Sequence, residues 1–369
     1  MNKVVTSAVV AAAVVVMGCG KCPFKAAAAD KAKAEKDKAG ETGCAVGSAS
    51  SLKTPRLGMD LSGQYKNPDG MTIKDGEIWL SVNNTASGQA SCIAKITKDD
   101  KVEKVIDLPL HPETGVCSSL GIVFASDGNL YVSDNQNLAG KGMGKSRLLR
   151  VVFESGKAVR AEVVAVGLHA ANGIAAKGDS VFVKETTFGE GDPMDSGTYR
   201  FRLAELKADA PAKVDGTLKD SHVIFALKTR GPVKVGANGL CFDGDGNLCV
   251  ANFGDQEIWK ISFDAAGAVK GSALFTKVAC AESIDGMQYD GEGSLWFADF
   301  LGNAIIRVCA TSGAASVVAK NPPCDGIHGE LDSPSECIRL GNKVYVSNID
   351  LTFGPHKADD KQTISIIDL

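Results

Sequence analysis

One sentence of residues is written six times along this chain, and that repetition restricts the fold more than any other feature. Its clearest copy is Ala237-Asn238-Gly239-Leu240-Cys241-Phe242, then the turn Asp243-Gly244-Asp245-Gly246-Asn247, then Leu248-Cys249-Val250-Ala251-Asn252. Apolar residues alternate, a Gly/Asp/Asn turn follows, and a second apolar run closes a β-hairpin. The other copies start at Asp69-Gly70-Met71, Leu120-Gly121-Ile122, Asn172-Gly173-Ile174, Asp285-Gly286-Met287 and, in the most degenerate form, Glu336-Cys337-Ile338. Counted from the residue before each Gly or its equivalent, the steps are 51, 52, 66, 47 and 51 residues. A period near 50 built from hairpins is the mark of a four-stranded propeller blade. Six copies predict an all-β, six-bladed β-propeller over residues 55–369. The long step places an insertion within Glu190–Gly216 of blade 3, read as a loop that either shapes a channel mouth or lies plainly on the surface.

The last blade is one strand short. After Val344–Ser347 only Thr363–Ile367 remains, whereas Pro55–Ser62 reads as a lone strand ahead of the first repeat. The expectation is that this N-terminal strand closes the sixth blade and removes the exposed edges.

Residues 1–19 read as an export signal. Lys3 supplies the positive start, Val4–Met17 a short apolar core, and Val16-Met17-Gly18-Cys19 resembles a bacterial lipobox that would lipidate Cys19. Cleavage within Ala26–Ala29, giving a free secreted protein, is the alternative. Residues 20–54, rich in Ala, Lys, Asp and Glu, read as a solvated tether that cannot build a core. The expected location is the cell envelope, periplasmic or surface, or the exterior. The expected membrane attachment is only through an N-terminal lipid anchor. With 11 Cys, export makes disulfides an expectation, and Cys241 and Cys249 are placed to face each other across a hairpin. A net charge of −4 with no basic face argues against nucleic acid.

The residues just before the repeated Gly converge on the axis of a propeller. They are Asp69, Leu120, Asn172, Asn238, Asp285 and Glu336. Five of the six carry oxygen, a donor set suited to Ca²⁺ or Mg²⁺. Read singly, each Asn-Gly or Asp-Gly is an ordinary turn dipeptide. A second set, Asp134, Glu185, Asn252, Asp299 and Asn348, ends the second strands and reads as hydrogen-bonding to loop amides. His169 sits three residues before Asn172 and reads as a loop histidine. The five His form no metal-spaced set, and no triad or phosphate-loop motif stands out.

At Ala237-Asn238-Gly239-Leu240 and Ile284-Asp285-Gly286-Met287 the chain resembles the senescence-marker-protein (regucalcin)/gluconolactonase family of six-bladed propellers. The resemblance runs over residues 55–369. It implies an axial divalent metal, Ca²⁺ first, held by Asn172, Asn238 and Asp285, with Asp69 where the family has Glu and Glu336 as a further ligand. It also implies metal-dependent hydrolysis of a lactone or related ester, with a small-molecule substrate and Asp285 as general base or nucleophile. The competing expectation is a non-enzymatic, envelope-tethered propeller of the NHL type that binds a protein partner. Leu120, which breaks the polar ring, and Asp69, which departs from the family's Glu, favour the second; Asn172, Asn238 and Asp285 favour the first.

Overall fold

A computed structural model describes residues 52–369; the stretch read as an export signal, Cys19 and most of the stretch 20–54 read as a tether lie outside the described residues. Every described strand belongs to one of six sheets. Blade 1 runs Pro68–Lys74, Glu77–Val82, Cys92–Ile96 and Val102–Asp107. Blade 2 runs Ser119–Phe124, Leu130–Asp134, Ser146–Glu154 and Lys157–Leu168. Blade 3 holds Ala171–Lys177, Ser180–Glu185, Met194–Arg202 and Val223–Thr229. Blade 4 holds Ala237–Phe242, Leu248–Asn252, Glu257–Phe263 and Val269–Lys277. Blade 5 holds Met287–Tyr289, Ser294–Asp299, Ala304–Cys309 and Ala315–Lys320. Blade 6 comprises Pro334–Leu340, Lys343–Asn348 and Thr363–Asp368, with Arg56–Asp60 as its outermost strand. Arg56–Asp60 pairs antiparallel with Thr363–Asp368, Arg56 opposite Ile366 and Asp60 opposite Thr363. No helix among the described residues is long and apolar enough to cross a membrane.

The second strands carry near-continuous apolar runs because each sheet is covered on both faces by its neighbours. In Ile78-Trp79-Leu80-Ser81-Val82, the side chains of Ile78, Leu80 and Val82 pack with Ile338, Tyr345 and Ile366 of blade 6. Trp79 points the other way, into Ile122, Val132 and Leu149 of blade 2. Four further clusters repeat this between blades 2 and 3, 3 and 4, 4 and 5, and 5 and 6. Six interfaces therefore close the ring.

The blade 3 insertion is more than a loop. After Met194–Arg202 the chain turns through a short 3₁₀ helix, Leu203–Glu205, and Ala212–Lys213 adds a parallel fifth strand to the edge of blade 2 opposite Ala165 and Val166. It covers an exposed edge instead of shaping the axial mouth. Seven cysteines among the described residues, Cys92, Cys117, Cys241, Cys249, Cys309, Cys324 and Cys337, are free thiols. Cys241 and Cys249 do stand opposite each other in register, both buried, but unbridged.

Candidate metal centre on the propeller axis

The repeated glycines explain how the axis is built. In blades 1 to 4 the inner hairpin passes over two residues, the repeated Gly and the residue before it, before pairing resumes. A Cβ on Gly70 would stand 2.6 Å from the carbonyl of Leu120, on Gly121 2.8 Å from that of Asn172, and on Gly173 2.3 Å from that of Asn238. On Gly239 it would lie 2.3 Å from the Asp285 carbonyl, and on Gly286 2.6 Å from that of Ser335. Each glycine is thus pressed against the next blade's backbone, and the Gly286 N–H donates to the Ser335 carbonyl at 2.8 Å. The dipeptide is a blade-to-blade contact, not a turn.

This contact corrects the phase assigned to blade 6. Pro334 pairs with Asn348 as Pro68 pairs with Val82, and Cys337 lies opposite Val346 as Met71 lies opposite Leu80. Ser335 is therefore the equivalent of Asp69, and Glu336 stands where the other blades have Gly. A side chain fits there because only Ser335 is passed over, so Glu336 pairs directly with Ser347.

Asp69, Asn172, Asn238, Asp285 and Glu336 nonetheless line one cavity, together with Gln288 and Ser335. Its volume is about 20 Å³, room for one water or one ion. Burial pushes Asp69 up to about 6, against contributions from Ser335 and the Gly70 N–H. Glu336 rises to about 8, first through burial and then through Asp69. Its carboxylate accepts from the Cys337 N–H at 3.1 Å and from Gln288 Nε2 at 3.3 Å. Asp285 keeps some surface toward the cavity but is enclosed by protein. Burial, then Asp69 and Glu336, hold it well above the carboxylate range, against Asn238 and the Gly286 N–H. Three acids from blades 1, 5 and 6 thus repel one another in a dry site. They do not all close to within 4.8 Å of one another, a distance that three acidic oxygens reach elsewhere, at Asp332, Asp350 and Asp359. An axial cation would take its ligands from a subset of the acids with the two amides.

Two features of the site were missed in the sequence. Gln288 bridges blades on the axis, donating to the Met71 carbonyl at 3.2 Å as well as to Glu336. The mouth carries an apolar cap. Leu120, Phe253, Phe300 and Ile349 come from blades 2, 4, 5 and 6 and are all buried against one another, with Val233, Val235, Leu301 and Leu351 around them. Residues from four blades can meet only across the axis, so Leu120 breaks the polar ring in order to join this cap. The signal was present: an apolar residue follows each of Asn252, Asp299 and Asn348.

Four of the second polar set bond loop amides as expected: Asp134 accepts from the Ser118 N–H at 2.8 Å, Glu185 from the His169 N–H at 2.8 Å, Asp299 from the Ser283 N–H at 2.8 Å and Asn348 from the Asp332 N–H at 3.1 Å. Asn252 accepts instead from the Thr229 hydroxyl at 2.8 Å. His169 packs beneath Gly216 of the insertion, away from the cavity.

These observations define a six-bladed propeller with an acidic, amide-lined axial site under an apolar cap. Residues 229–324, which carry Asn238 and Asp285, match the SMP-30/Gluconolactonase/LRE-like region family, and this bears out the resemblance read from the sequence. No curated protein matches the chain by sequence. Among solved structures, a luciferin-regenerating enzyme is 13% identical with a TM-score of 0.55, over 86% of this chain and 95% of that one. A gluconolactonase from Xanthomonas campestris is 14% identical with a TM-score of 0.52, over 90% and 99%. A calcium-binding regucalcin from Agrobacterium tumefaciens is 13% identical with a TM-score of 0.50, over 86% and 94%. At such identities the likeness establishes the fold alone.

Proposed function

We propose that the chain binds one divalent cation, Ca²⁺ first, at the axial cavity and hydrolyses a lactone or related ester there. The carrying observation is the enclosure of Asp69, Asp285 and Glu336 with Asn172 and Asn238 around a hole of ionic size. Buried acids with only one another for charge partners are costly, and hard-oxygen ligation relieves that cost. The similarity to a calcium-binding regucalcin and a gluconolactonase supports the same reading. When bound, the cation supplies Lewis-acid polarisation of an ester carbonyl and lowers the basicity of its ligands. Asp285 accepts a proton from the attacking water at a carboxylate oxygen, with Asn238 orienting it. Leu120, Phe253, Phe300 and Ile349 exclude bulk water from above.

The cap also favours a second reading, in which the cation is structural and the chain binds a partner. A cavity of about 20 Å³ holds no lactone, so hydrolysis requires the cap to open. The test is calorimetric titration of Ca²⁺ into the chelator-treated chain, beside an Asn238→Ala, Asp285→Ala double variant and a lactone panel. The expected result is loss of one calcium site in the double variant and turnover abolished by Asp285→Asn with the fold intact. No axial binding to folded protein sinks the cation reading. Binding without turnover, even in Phe300→Ala, leaves the structural reading standing.

A further inference from the structure

Three chain segments meet at one end of blade 6, outside the lining of the axial cavity. Asp332 precedes the inner strand Pro334–Leu340, Asp350 follows Lys343–Asn348, and Asp359 precedes Thr363–Asp368. One carboxylate oxygen from each lies within 4.8 Å of the other two. Asp332 is 2% exposed and Asp350 3% exposed, whereas Asp359 faces solvent. Among the described residues no lysine or arginine pairs with any of the three; the neighbouring Lys66 is engaged by Asp360.

An acidic cluster alone proves little, but here one oxygen lacks any partner. Asp332 Oδ2 is sealed from solvent and accepts no hydrogen bond. The Ser333 hydroxyl acts on it from nearby but stands outside hydrogen-bond geometry, and its own Oγ is also buried without a partner. The charges that act most strongly on Asp332 are those of Asp350, Asp359 and Asp325, all negative. Asp350, in contrast, is held in place. Its carboxylate accepts from the Asp359 N–H at 3.0 Å, the Asp360 N–H at 3.2 Å and Gln362 Nε2 at 2.6 Å. A buried carboxylate oxygen with no donor, on a residue grouped with two further acids, is a ready ligand for a cation. All-oxygen donors, one of them at the surface where water completes the shell, suit Ca²⁺ better than a soft or strictly octahedral metal.

We propose that Asp332, Asp350 and Asp359 form a second calcium site, distinct from the axis, that clasps the ring closure. The connection is direct. Gln362, which donates to Asp350, accepts the Asn67 N–H at 2.5 Å, and the Asn67 amide donates to the Ile349 carbonyl at 2.7 Å. The Gln362 carbonyl accepts from the Leu61 N–H at 2.7 Å. A cation there ties the segment 350–362 to the passage from the closing strand into blade 1.

The site stands independently of the axial proposal, and one experiment separates them. The full chain is stripped with chelator and titrated with Ca²⁺, in the wild type, in Asn238→Ala, Asp285→Ala, and in Asp332→Asn, Asp359→Asn. Retention of one site in the axial variant, and its weakening at least tenfold in the Asp332/Asp359 variant, is the expected outcome. Asp359→Asn alone changes only an exposed residue, so it guards against loss of fold and should weaken the same site. In the axial variant Ca²⁺ should also slow proteolysis within 350–362. An axial variant that binds no Ca²⁺, or binding unchanged by Asp332→Asn, Asp359→Asn, overturns the proposal. A wild type whose one site is lost only with Asp332 and Asp359 upholds it and overturns the axial reading instead.

Discussion

Gly239 shows what a single residue decides in this fold. Its backbone torsion is open to any amino acid, so the demand for glycine comes from the Asp285 carbonyl of the next blade. A Cβ would lie 2.3 Å from that oxygen and 2.8 Å from the Met287 side chain. Neither neighbour can retreat without moving the inner strand of blade 5. Gly239→Ala is therefore expected to lower stability by about 1–3 kcal/mol, the usual cost of overpacking, and to displace Asp285. Denaturant unfolding of the variant measures the first. The same cost at the turn glycine Gly76, where a Cβ meets nothing but φ is +75°, would point to torsion instead of contact. This distinction was not legible in the sequence, where Asn-Gly and Asp-Gly read as turn dipeptides. The positions of Asp69, Asn172, Asn238 and Asp285 were legible, because each stands directly before a repeated Gly. Glu336 was misphased by one residue because it occupies the glycine position itself.

Among the elements, the outermost strand of blade 6 carries the most risk. Arg56–Asp60 pairs with Thr363–Asp368 across the whole length of the propeller sequence, and Met59, with Leu61 just after it, is buried in the cluster shared by blades 1 and 6. A chain beginning at Ser62 would lose both side chains and leave Thr363–Asp368 as an open edge. Deleting a buried Leu or Met side chain costs about 2–5 kcal/mol, so the shortened chain should melt well below the full one and self-associate. Thermal melts and sedimentation check this, and unchanged melting would mean that the strand only decorates the blade. The closing strand could be sought in the sequence because one hairpin lacked a partner. The fifth strand of blade 2 could not. Ala212-Lys213 has no pattern of its own and pairs only because the blade 2 edge lies beside it. The apolar cap was hidden for a related reason: Leu120, Phe253, Phe300 and Ile349 are far apart in the chain, and only ring closure makes them neighbours.

At the scale of the whole molecule, ring closure forces acids from blades 1, 5 and 6 into one dry site, and that gives stability a pH dependence whose sign can be derived. Without a cation, Asp69 holds its proton up to about 6 and Glu336 up to about 8, with Asp285 shifted the same way. The unfolded chain releases these protons near pH 4. Between pH 4 and pH 8 the native state thus binds more protons than the unfolded state, and stability falls as pH rises, by about 1.4 kcal/mol per pH unit for each proton retained. The stabilising contribution is fully present below the unfolded pKa and is gone above the folded one. The chelator-treated chain should therefore melt at lower temperature at pH 8 than at pH 6. Asp332, pushed up to about 7, adds to the same fall from the edge of the ring. Glu336→Gln removes one axial group and should flatten the slope between pH 6 and pH 8, where Asp69 has already ionised. Saturating Ca²⁺ competes with the protons and should flatten it further, because the cation offsets the charge that the protons otherwise cancel. A chelated chain that gains stability from pH 6 to pH 8 would show that the axial acids are ionised and tolerated without a cation, and the case for a metal on the axis would fail with it.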